Sequence, residues 1–284
     1  MVFPSLLSSG EVKDIGGSKL ESLIRPNLVQ TIQSGQDIPK EVFYIRGPWD
    51  EVSMESYKTS SEECIFKQNA SKLIAKAHGQ ECLVIFDLEA GILKKAKILL
   101  DVLETMETSC HYFPVDINLE SLKKQIPKLD RSYKYIRCAG LWGTFDDALG
   151  VATDISKEKP TISHACSFGS TLSNSPRADA INNSRAWDCG FMTADDILNR
   201  PVFNDPMWSR QCAVDVRPSR HTFHVMARKP TGDIPQSFKT FTSFKYTKAE
   251  VREMASEADL TVVETYGDLD TKMRLYDFVG SKAV

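Results

Sequence analysis

The sequence predicts an α/β fold with a mostly parallel, doubly wound sheet, and three observations support this prediction. From residue 82 onward, short apolar runs alternate with amphipathic stretches, which is the pattern of parallel strands covered by helices. The composition, with 42% hydrophobic and 26% charged residues, is that of an ordinary globular protein. The length of 284 residues suffices for one large α/β domain or two small ones.

Four strand–helix units can be placed within this alternation. The predicted strands are 82–88, 110–116, 133–139 and 161–168, and the predicted helices are 92–106, 118–126 and 146–155. Residues 190–209 are predicted as a loop where a fifth strand should begin, because Asn204, Asp205 and two prolines cluster there. Beyond the loop, the predicted elements are strands 211–216, 221–227 and 238–246, helix 247–258, and a closing antiparallel pair, 260–266 with 273–279.

The first eighty residues are predicted to be mainly helical. Ser18 and Glu21 have the spacing of a capping box, and apolar residues follow at helical intervals. Pro26 predicts a break or kink near Arg25, since proline lacks an N–H and its ring clashes with the preceding turn. A second helix is predicted over 61–76.

Charge and residue usage exclude several classes of partner. The net charge of -3 comes without a long basic block, so nucleic acid is not an expected partner. The seven cysteines form no C-x-x-C pair and are expected to be reduced thiols, and the absence of a leader or an eighteen-residue apolar run predicts a cytoplasmic protein without membrane contact. His221 and His224 face opposite sides of a predicted strand, so no metal site is expected.

Polar residues follow the predicted strands at the edge where doubly wound sheets bind ligands. The first strand leads into Asp87-Leu88-Glu89-Ala90-Gly91, and the N-terminus of the following helix can receive an anion. The second strand ends at Asp116, where a carboxylate can accept hydrogen bonds from both ribose hydroxyls of a nucleoside. The alternative is that Asp116 only caps the helix that begins near Asn118.

The third and fourth strand ends carry longer motifs. The third reads Cys138-Ala139-Gly140-Leu141-Trp142-Gly143-Thr144-Phe145-Asp146-Asp147, and the fourth reads Ser167-Phe168-Gly169-Ser170-Thr171-Leu172-Ser173-Asn174. Together with Asp14-Ile15-Gly16-Gly17-Ser18, Ser56-Tyr57-Lys58-Thr59 and Ser243-Phe244-Lys245-Tyr246, these segments resemble the fungal dimethylallyltryptophan N-methyltransferases of ergot-alkaloid synthesis. They resemble more distantly the histidine N-methyltransferases of ergothioneine synthesis. The motifs keep their order over nearly the whole chain.

The resemblance implies a Rossmann-like class I methyltransferase that uses S-adenosylmethionine as methyl donor, with a tendency to form homodimers. The cofactor contacts that it implies are Glu89, Gly91, Lys95, Asp116, Thr144 and Phe145. Lys95 could neutralise the methionine carboxylate, and Phe145 could stack on adenine. The implied substrate contacts are Tyr57, Asn174, Phe223 and Ser243, of which Tyr57 and Asn174 are the candidate catalytic residues.

The resemblance also implies a division of the chain. Residues 1–80 would form an N-terminal helical lid on the substrate side, and 81–190 the Rossmann-like cofactor-binding core. Residues 191–246 would form a small β-rich substrate-side insertion, and 247–284 the C-terminal part of the core sheet.

The sequence departs from the related enzymes at three places. Glu89 replaces a glycine against which the amino-acid end of the cofactor packs, so it could repel the cofactor, turn away from it or bind its ammonium group. The stretch between Asn174 and Arg220 is shortened, which predicts a differently walled substrate cavity. Phe241 stands where the histidine-specific enzymes have a glutamate that holds the substrate amine, which argues against histidine as substrate.

The function predicted from these residues is methylation of an amine in an aromatic amino-acid derivative or indole alkaloid of fungal secondary metabolism. Two alternatives keep the fold and change the function. Glu89 and the shortened middle could belong to an enzyme that catalyses a cyclisation or isomerisation without methyl transfer. They could also belong to an inactive homologue that acts as a binding partner.

Overall fold

The structure is a computed structural model that describes most of the chain in eleven ranges. These are residues 3–46, 57–75, 82–158, 163–167, 184–203, 206–216, 219–229, 232, 234–244, 246–267 and 274–280. In the described residues, no helix combines the length and apolar character that a membrane crossing requires.

A six-stranded parallel sheet forms the centre of the fold. Its strands are β1 (Val12–Asp14), β2 (Leu83–Leu88), β3 (Cys110–Asp116), β4 (Ile136–Cys138), β5 (Gly140–Trp142) and β6 (Ser163–Cys166). They run in the order β1-β5-β3-β2-β6, with β4 also paired to β3, and every pairing is parallel. The predicted mostly parallel α/β sheet is confirmed.

Helices connect these strands and bury both faces of the sheet. They are α3 (Lys94–Thr105), α4 (Leu119–Ser132) and α5 (Phe145–Glu158). One hydrophobic core includes Leu100, Tyr112 and Ile126, and another on the opposite face of β3 includes Phe113 and Val151. The predicted end of α4 at residue 126 is wrong, because the buried side chain of Leu129 continues its apolar face beyond Pro127.

The N-terminal segment contains α1 (Gly17–Ser34), a 3-10 helix (Lys40–Phe43) and α2 (Tyr57–Ala75). Of the break or kink predicted near Arg25, the break is wrong, because α1 runs through Pro26 with Ile24 and Leu28 buried, and this packing offsets the lost hydrogen bond. The kink stays a prediction.

Two further expectations for this segment need correction. Ser18 lies inside α1 and cannot cap it, whereas the Asp14 Oδ1 atom accepts the N–H groups of Gly16 and Ser18 at 2.9 and 3.4 Å. The segment is also not purely helical, because β1 pairs with β5 at the edge of the central sheet.

The middle of the chain forms α6 (Ser184–Leu198) and a separate antiparallel sheet of three strands. These strands are β7 (Trp208–Val216), β8 (Ser219–Ala227) and β9 (Ser237–Phe244). The loop predicted over 190–209 is wrong for its first nine residues. Phe191, Ala194 and Leu198 are buried at helical spacing, whereas the turn-forming residues cluster only after the helix.

A third hydrophobic core joins the N-terminal and middle segments. It includes Leu28 from α1, Phe43 from the 3-10 helix, Phe191 from α6, and Phe223 and Phe238 from the three-stranded sheet. These two segments therefore pack on each other rather than forming independent units.

The chain closes with α7 (Lys248–Glu257) and the antiparallel pair β10 (Leu260–Gly267) and β11 (Arg274–Gly280). The predicted pairing is confirmed, but within the described residues it forms a two-stranded sheet of its own rather than part of the core sheet. Most of β10 is exposed, which suits a solvated ribbon and not a strand buried inside a parallel sheet.

Candidate functional site

The carboxyl ends of three neighbouring strands bring the predicted cofactor residues to one edge of the sheet. Leu88 at the end of β2 pairs with Val115 of β3, and Asp116 at the end of β3 pairs with Trp142 of β5. The turns that follow these strands therefore adjoin, as expected for the ligand edge of a doubly wound sheet.

Asp116 is the residue that ties these turns together. Its Oδ2 atom accepts the Gly91 N–H at 2.9 Å, its Oδ1 atom accepts the Asn118 N–H at 2.8 Å, and its carbonyl oxygen accepts the Gly143 N–H at 3.2 Å. The alternative that Asp116 merely caps α4 is wrong. Asn118 is the cap, because its side chain accepts the Ser121 N–H at 3.0 Å.

The turn between β2 and α3 is built from left-handed residues. Glu89, Gly91 and Leu93 have φ values of 57°, 56° and 58°. A non-glycine residue in this region of φ costs about 1 to 2 kcal/mol, which gives a physical reason why glycine is favoured at position 89. Glu89 therefore occupies a strained position beside Asp116.

Charged groups on several elements act on the Glu89 carboxyl. Burial, followed by the Asp116 carboxylate, raises its pKa, while Lys40 and Lys95 act in the opposite direction. Tyr44 lies close enough for the Glu89 charge to contribute, after burial, to raising the pKa of its hydroxyl to about 12. The 3-10 segment thus approaches the turn.

Lys95 is engaged with another side chain. Its Nζ atom lies 2.7 Å from Glu62 Oε2 of α2, and the two side chains are only 18% and 10% exposed. A substrate or cofactor carboxylate would have to share this ammonium group with Glu62. The predicted role of Lys95 toward the methionine carboxylate therefore stays a prediction, with a competitor that the sequence did not reveal.

A buried polar pair lies beneath the turn. The Tyr112 hydroxyl donates to Asp87 Oδ2 at 2.5 Å, and both residues are fully buried. Burial, followed by the Asp87 charge, raises the Tyr112 pKa well above its usual value, so the hydroxyl remains a donor. The bond joins β2 to β3 just before the strands reach the candidate site.

Thr144 directly precedes α5, and Phe145 is the first residue of that helix. The Thr144 hydroxyl and N–H donate to Asp147 Oδ2 at 2.7 and 2.9 Å. In turn, the Asp147 N–H donates to Thr144 Oγ1 at 3.3 Å. Thr144 is thus a helix cap, and its contact with a cofactor stays a prediction. The next residue, Phe145, leaves 44% of its surface exposed, so an aromatic face is accessible beside the strand ends.

The predicted substrate residues are described only in part. Asn174 lies outside the described residues, as do the side chains of Tyr57 at the start of α2 and Ser243 in β9, which pairs with His221. Phe223 is only 4% exposed and packs in the third core. Packing is therefore its observed role, and its contact with a substrate remains a prediction.

The residues at the strand ends suit a ligand that contains a nucleoside. A carboxylate at the end of a strand, such as that of Asp116, can accept hydrogen bonds from ribose hydroxyls, and the exposed Phe145 ring offers a stacking surface for a base. The fold and the site together define an α/β protein of the nucleotide-cofactor-binding class.

Comparison with known proteins identifies the family within that class. The family described as histidine-specific, SAM-dependent methyltransferases matches residues 49–199, which is more than half of the chain. The chain belongs to this family, and the resemblance found in its motifs is confirmed.

Individual relatives are all at modest identity. A 4-dimethylallyltryptophan N-methyltransferase of Aspergillus fumigatus is 32% identical over 187 residues, covering 62% of this chain and 53% of that protein. Ergothioneine biosynthesis protein 1 of Neurospora crassa is 31% identical over 129 residues, or 44% of this chain and 14% of that protein. An L-tryptophan methyltransferase of Psilocybe serbica is 26% identical over 203 residues, or 60% and 55%. The match spans about half the length of the first and third relatives.

Sequence reasoning missed the residues that surround Glu89 and Lys95 from other elements. Glu62 is 33 positions from Lys95 along the chain, Lys40 begins the 3-10 helix, and Tyr44 directly follows that helix. No local spacing links these residues to the turn. Only the packing of the N-terminal segment against the sheet brings them together.

Proposed function

We propose that the chain is an S-adenosylmethionine-dependent N-methyltransferase. The proposed substrate is a small molecule, an aromatic amino-acid derivative or indole alkaloid of fungal secondary metabolism with a primary or secondary amine. The arrangement around Asp116, which links the Gly91 and Gly143 turns beside the exposed Phe145, carries the proposal together with family membership. The relatives named as N-methyltransferases of dimethylallyltryptophan and as a methyltransferase of tryptophan support the substrate class.

Each cofactor residue has a proposed task. Asp116 accepts the ribose hydroxyls, Phe145 stacks on the adenine, and the Thr144 and Gly91 turns shape the ends of the pocket. The bound cofactor would supply a methyl group on a sulfonium. The chain's own contribution is to hold the acceptor nitrogen in line with that methyl group, and such positioning accounts for most of the catalysis.

The amine is held by Tyr57, Asn174 and Ser243 in this proposal, with Phe223 on the same side. The nitrogen lone pair forms the new bond to carbon, and the electrons of the broken bond remain on sulfur. The proton lost by nitrogen passes to one of these side chains or to water. The proposed setting is the cytoplasm, and the proposed assembly is a homodimer.

Calorimetry and product mass test this function. Wild type is expected to bind S-adenosylmethionine and to convert 4-dimethylallyltryptophan or tryptophan into a product in which one methyl group replaces one hydrogen per turnover. Asp116→Asn is expected to weaken cofactor binding at least about tenfold, because the amide nitrogen cannot accept a hydrogen bond. Glu120→Gln, an exposed change in the first turn of α4, is the matched control and should bind like wild type.

Two results would contradict the proposal. Absence of cofactor binding in wild type would favour the alternative of an inactive homologue that acts as a binding partner. Cofactor binding with a product of unchanged mass would favour a cyclisation or isomerisation.

A further inference from the structure

The strained backbone of Glu89 is held in place by the turn around it. The Ala90 N–H donates to the Val115 carbonyl at 3.2 Å, and the Gly91 N–H donates to Asp116 at 2.9 Å. These bonds fix the backbone just after Glu89, so the residue cannot leave its left-handed conformation without breaking the contact with β3. Strain of this kind is concentrated at functional sites.

The charges near Glu89 leave the region net negative. Glu62, Glu89 and Asp116 contribute three formal negative charges, whereas Lys40 and Lys95 contribute two positive charges. Lys95 is already in contact with Glu62 at 2.7 Å. Binding of a ligand carboxylate to Lys95 is therefore disfavoured, whereas binding of a cationic group beside Glu89 is favoured.

Glu89 is also accessible to a ligand. Its side chain is exposed and Tyr44 is 40% exposed, yet burial is the main reason that the pKa of each group is raised. The Glu89 carboxyl is therefore partly shielded by protein atoms yet open to solvent, at the edge of the sheet where Asp116 lies.

We propose that Glu89 is a specificity-determining residue that binds the ammonium group at the amino-acid end of the cofactor. This inference rests on the proposed function and deepens it. It assigns Lys95 to the ion pair with Glu62, so that Lys95 acts as a positioning residue between α2 and α3. A glycine at position 89 would relieve the strain but could not provide this charge.

Binding of an ammonium group has a second consequence at Glu89. A nearby positive charge favours the ionised carboxylate and lowers its pKa, so a proton is released when the ligand binds. Within the described part of the chain, the charged or titratable groups that act on Glu89 or respond to its charge are Lys40, Lys95, Asp116 and Tyr44. Glu89→Gln removes the titrating group while keeping a side chain of the same size.

The test is calorimetry of wild type, Glu89→Gln and Glu89→Gly with three ligands. S-adenosylhomocysteine carries the amino-acid end, its deaminated analogue lacks only the ammonium group, and 5′-methylthioadenosine lacks the whole end. Both variants are expected to lose at least about tenfold in affinity for the first ligand and to bind the other two like wild type. In buffers of different ionisation enthalpy at a pH just above the ordinary glutamate pKa, wild type is expected to release more protons than Glu89→Gln on binding S-adenosylhomocysteine.

Glu107→Gln and Glu107→Gly are the controls. Glu107 is also an exposed, left-handed glutamate, with φ of 53°, but it lies at the opposite end of α3. These variants should bind all three ligands like wild type.

The outcomes separate this inference from the proposed function. Tighter binding of S-adenosylhomocysteine by Glu89→Gly would mean that the glutamate is an obstacle, and equal effects on all three ligands would mean a general distortion. Either result overturns the inference and leaves the methyltransferase proposal standing. If wild type binds none of the ligands, both proposals fail.

Discussion

At the scale of single residues, two positions distinguish the candidate site. Asp116 links its turns by hydrogen bonds, and Glu89 has a strained backbone conformation. The Asp116 carboxylate accepts the N–H groups of Gly91 and Asn118, and its carbonyl oxygen accepts that of Gly143, so this residue links the neighbouring turns. Glu89 adopts a φ of 57° in a turn where glycine costs less. The first residue was expected at the ligand edge from the sequence, whereas the conformation of the second required the folded chain.

The strain and charge at Glu89 predict a stability that depends on pH. Because its pKa is raised in the folded protein, the folded state holds the proton to a higher pH than the unfolded state. Wild type should therefore lose stability as pH rises from the ordinary glutamate value through the raised one. Glu89→Gly should be more stable than wild type, and its advantage should grow over this range.

Glu107→Gly is the matched control for the backbone part of this effect, since Glu107 has a similar φ of 53°. Thermal unfolding at pH 4 should show similar gains for the two variants, and at pH 7 a larger gain for Glu89→Gly. Equal gains at both pH values would refute the electrostatic part.

The buried hydrogen bond between Tyr112 and Asp87 predicts a loss of stability on removal of one hydroxyl. Tyr112→Phe should lower the free energy of unfolding by about 1 to 3 kcal/mol, because a fully buried carboxyl loses a donor at 2.5 Å. Urea denaturation measures this change. The control is Tyr135→Phe, because the Tyr135 hydroxyl accepts a hydrogen bond from the exposed Lys134 at 3.2 Å, and it should change stability by less than about 0.5 kcal/mol.

At the scale of elements, tertiary packing decides where the helices run. The helix α1 continues through Pro26 and α4 through Pro127, because each has buried residues on both sides of its proline. The helix α6 occupies part of a segment with many turn-forming residues, because its apolar face packs into the third core. Local propensity is weaker than the burial of an apolar face in all three cases.

The contact between α6 and the 3-10 helix predicts opposite results for two glycine substitutions. A Cβ at Gly190 would lie 2.0 Å from Phe43 Cδ1, and the Phe43 ring is buried. Gly190→Ala should therefore destabilise the protein by about 1 to 3 kcal/mol despite the better helix propensity of alanine.

Gly150→Ala in α5 is the control, because no atom lies within 4 Å of its added Cβ. It should stabilise the protein by about 0.5 to 1 kcal/mol, as expected for an unobstructed helix position. Parallel thermal melts compare the two variants, and a gain in both would show that Phe43 does not restrict α6.

At the scale of the whole molecule, two cores bury the faces of the central sheet and a third joins the N-terminal and middle segments. The third core anchors the 3-10 helix, so that Lys40 and the adjoining Tyr44 lie close enough to the turn to interact with the Glu89 charge. The candidate site therefore depends on segments that are far apart in the sequence.

We expect that removal of a large side chain from the third core causes a large loss of stability. Phe238 is 1% exposed and contacts the rings of Phe203 and Trp208. Phe238→Ala should lower the free energy of unfolding by about 3 to 5 kcal/mol, which urea denaturation followed by tryptophan fluorescence can measure. Leu149→Ala, at a site that is 67% exposed, should stay within about 0.5 kcal/mol of wild type. A small effect at Phe238 would mean that the third core contributes little to folding.

The sequence by itself determined the parallel sheet, the positions of its polar strand ends and the family. These follow from local patterns, namely apolar runs, the residues that end them and motifs kept in order. Only the tertiary structure decided that Lys95 binds Glu62, that Glu89 is left-handed beside Asp116, and that Lys40 and Tyr44 come close enough to interact with the Glu89 charge. Those contacts join residues from α2, the 3-10 helix and the sheet, and their charges act through space rather than along the chain.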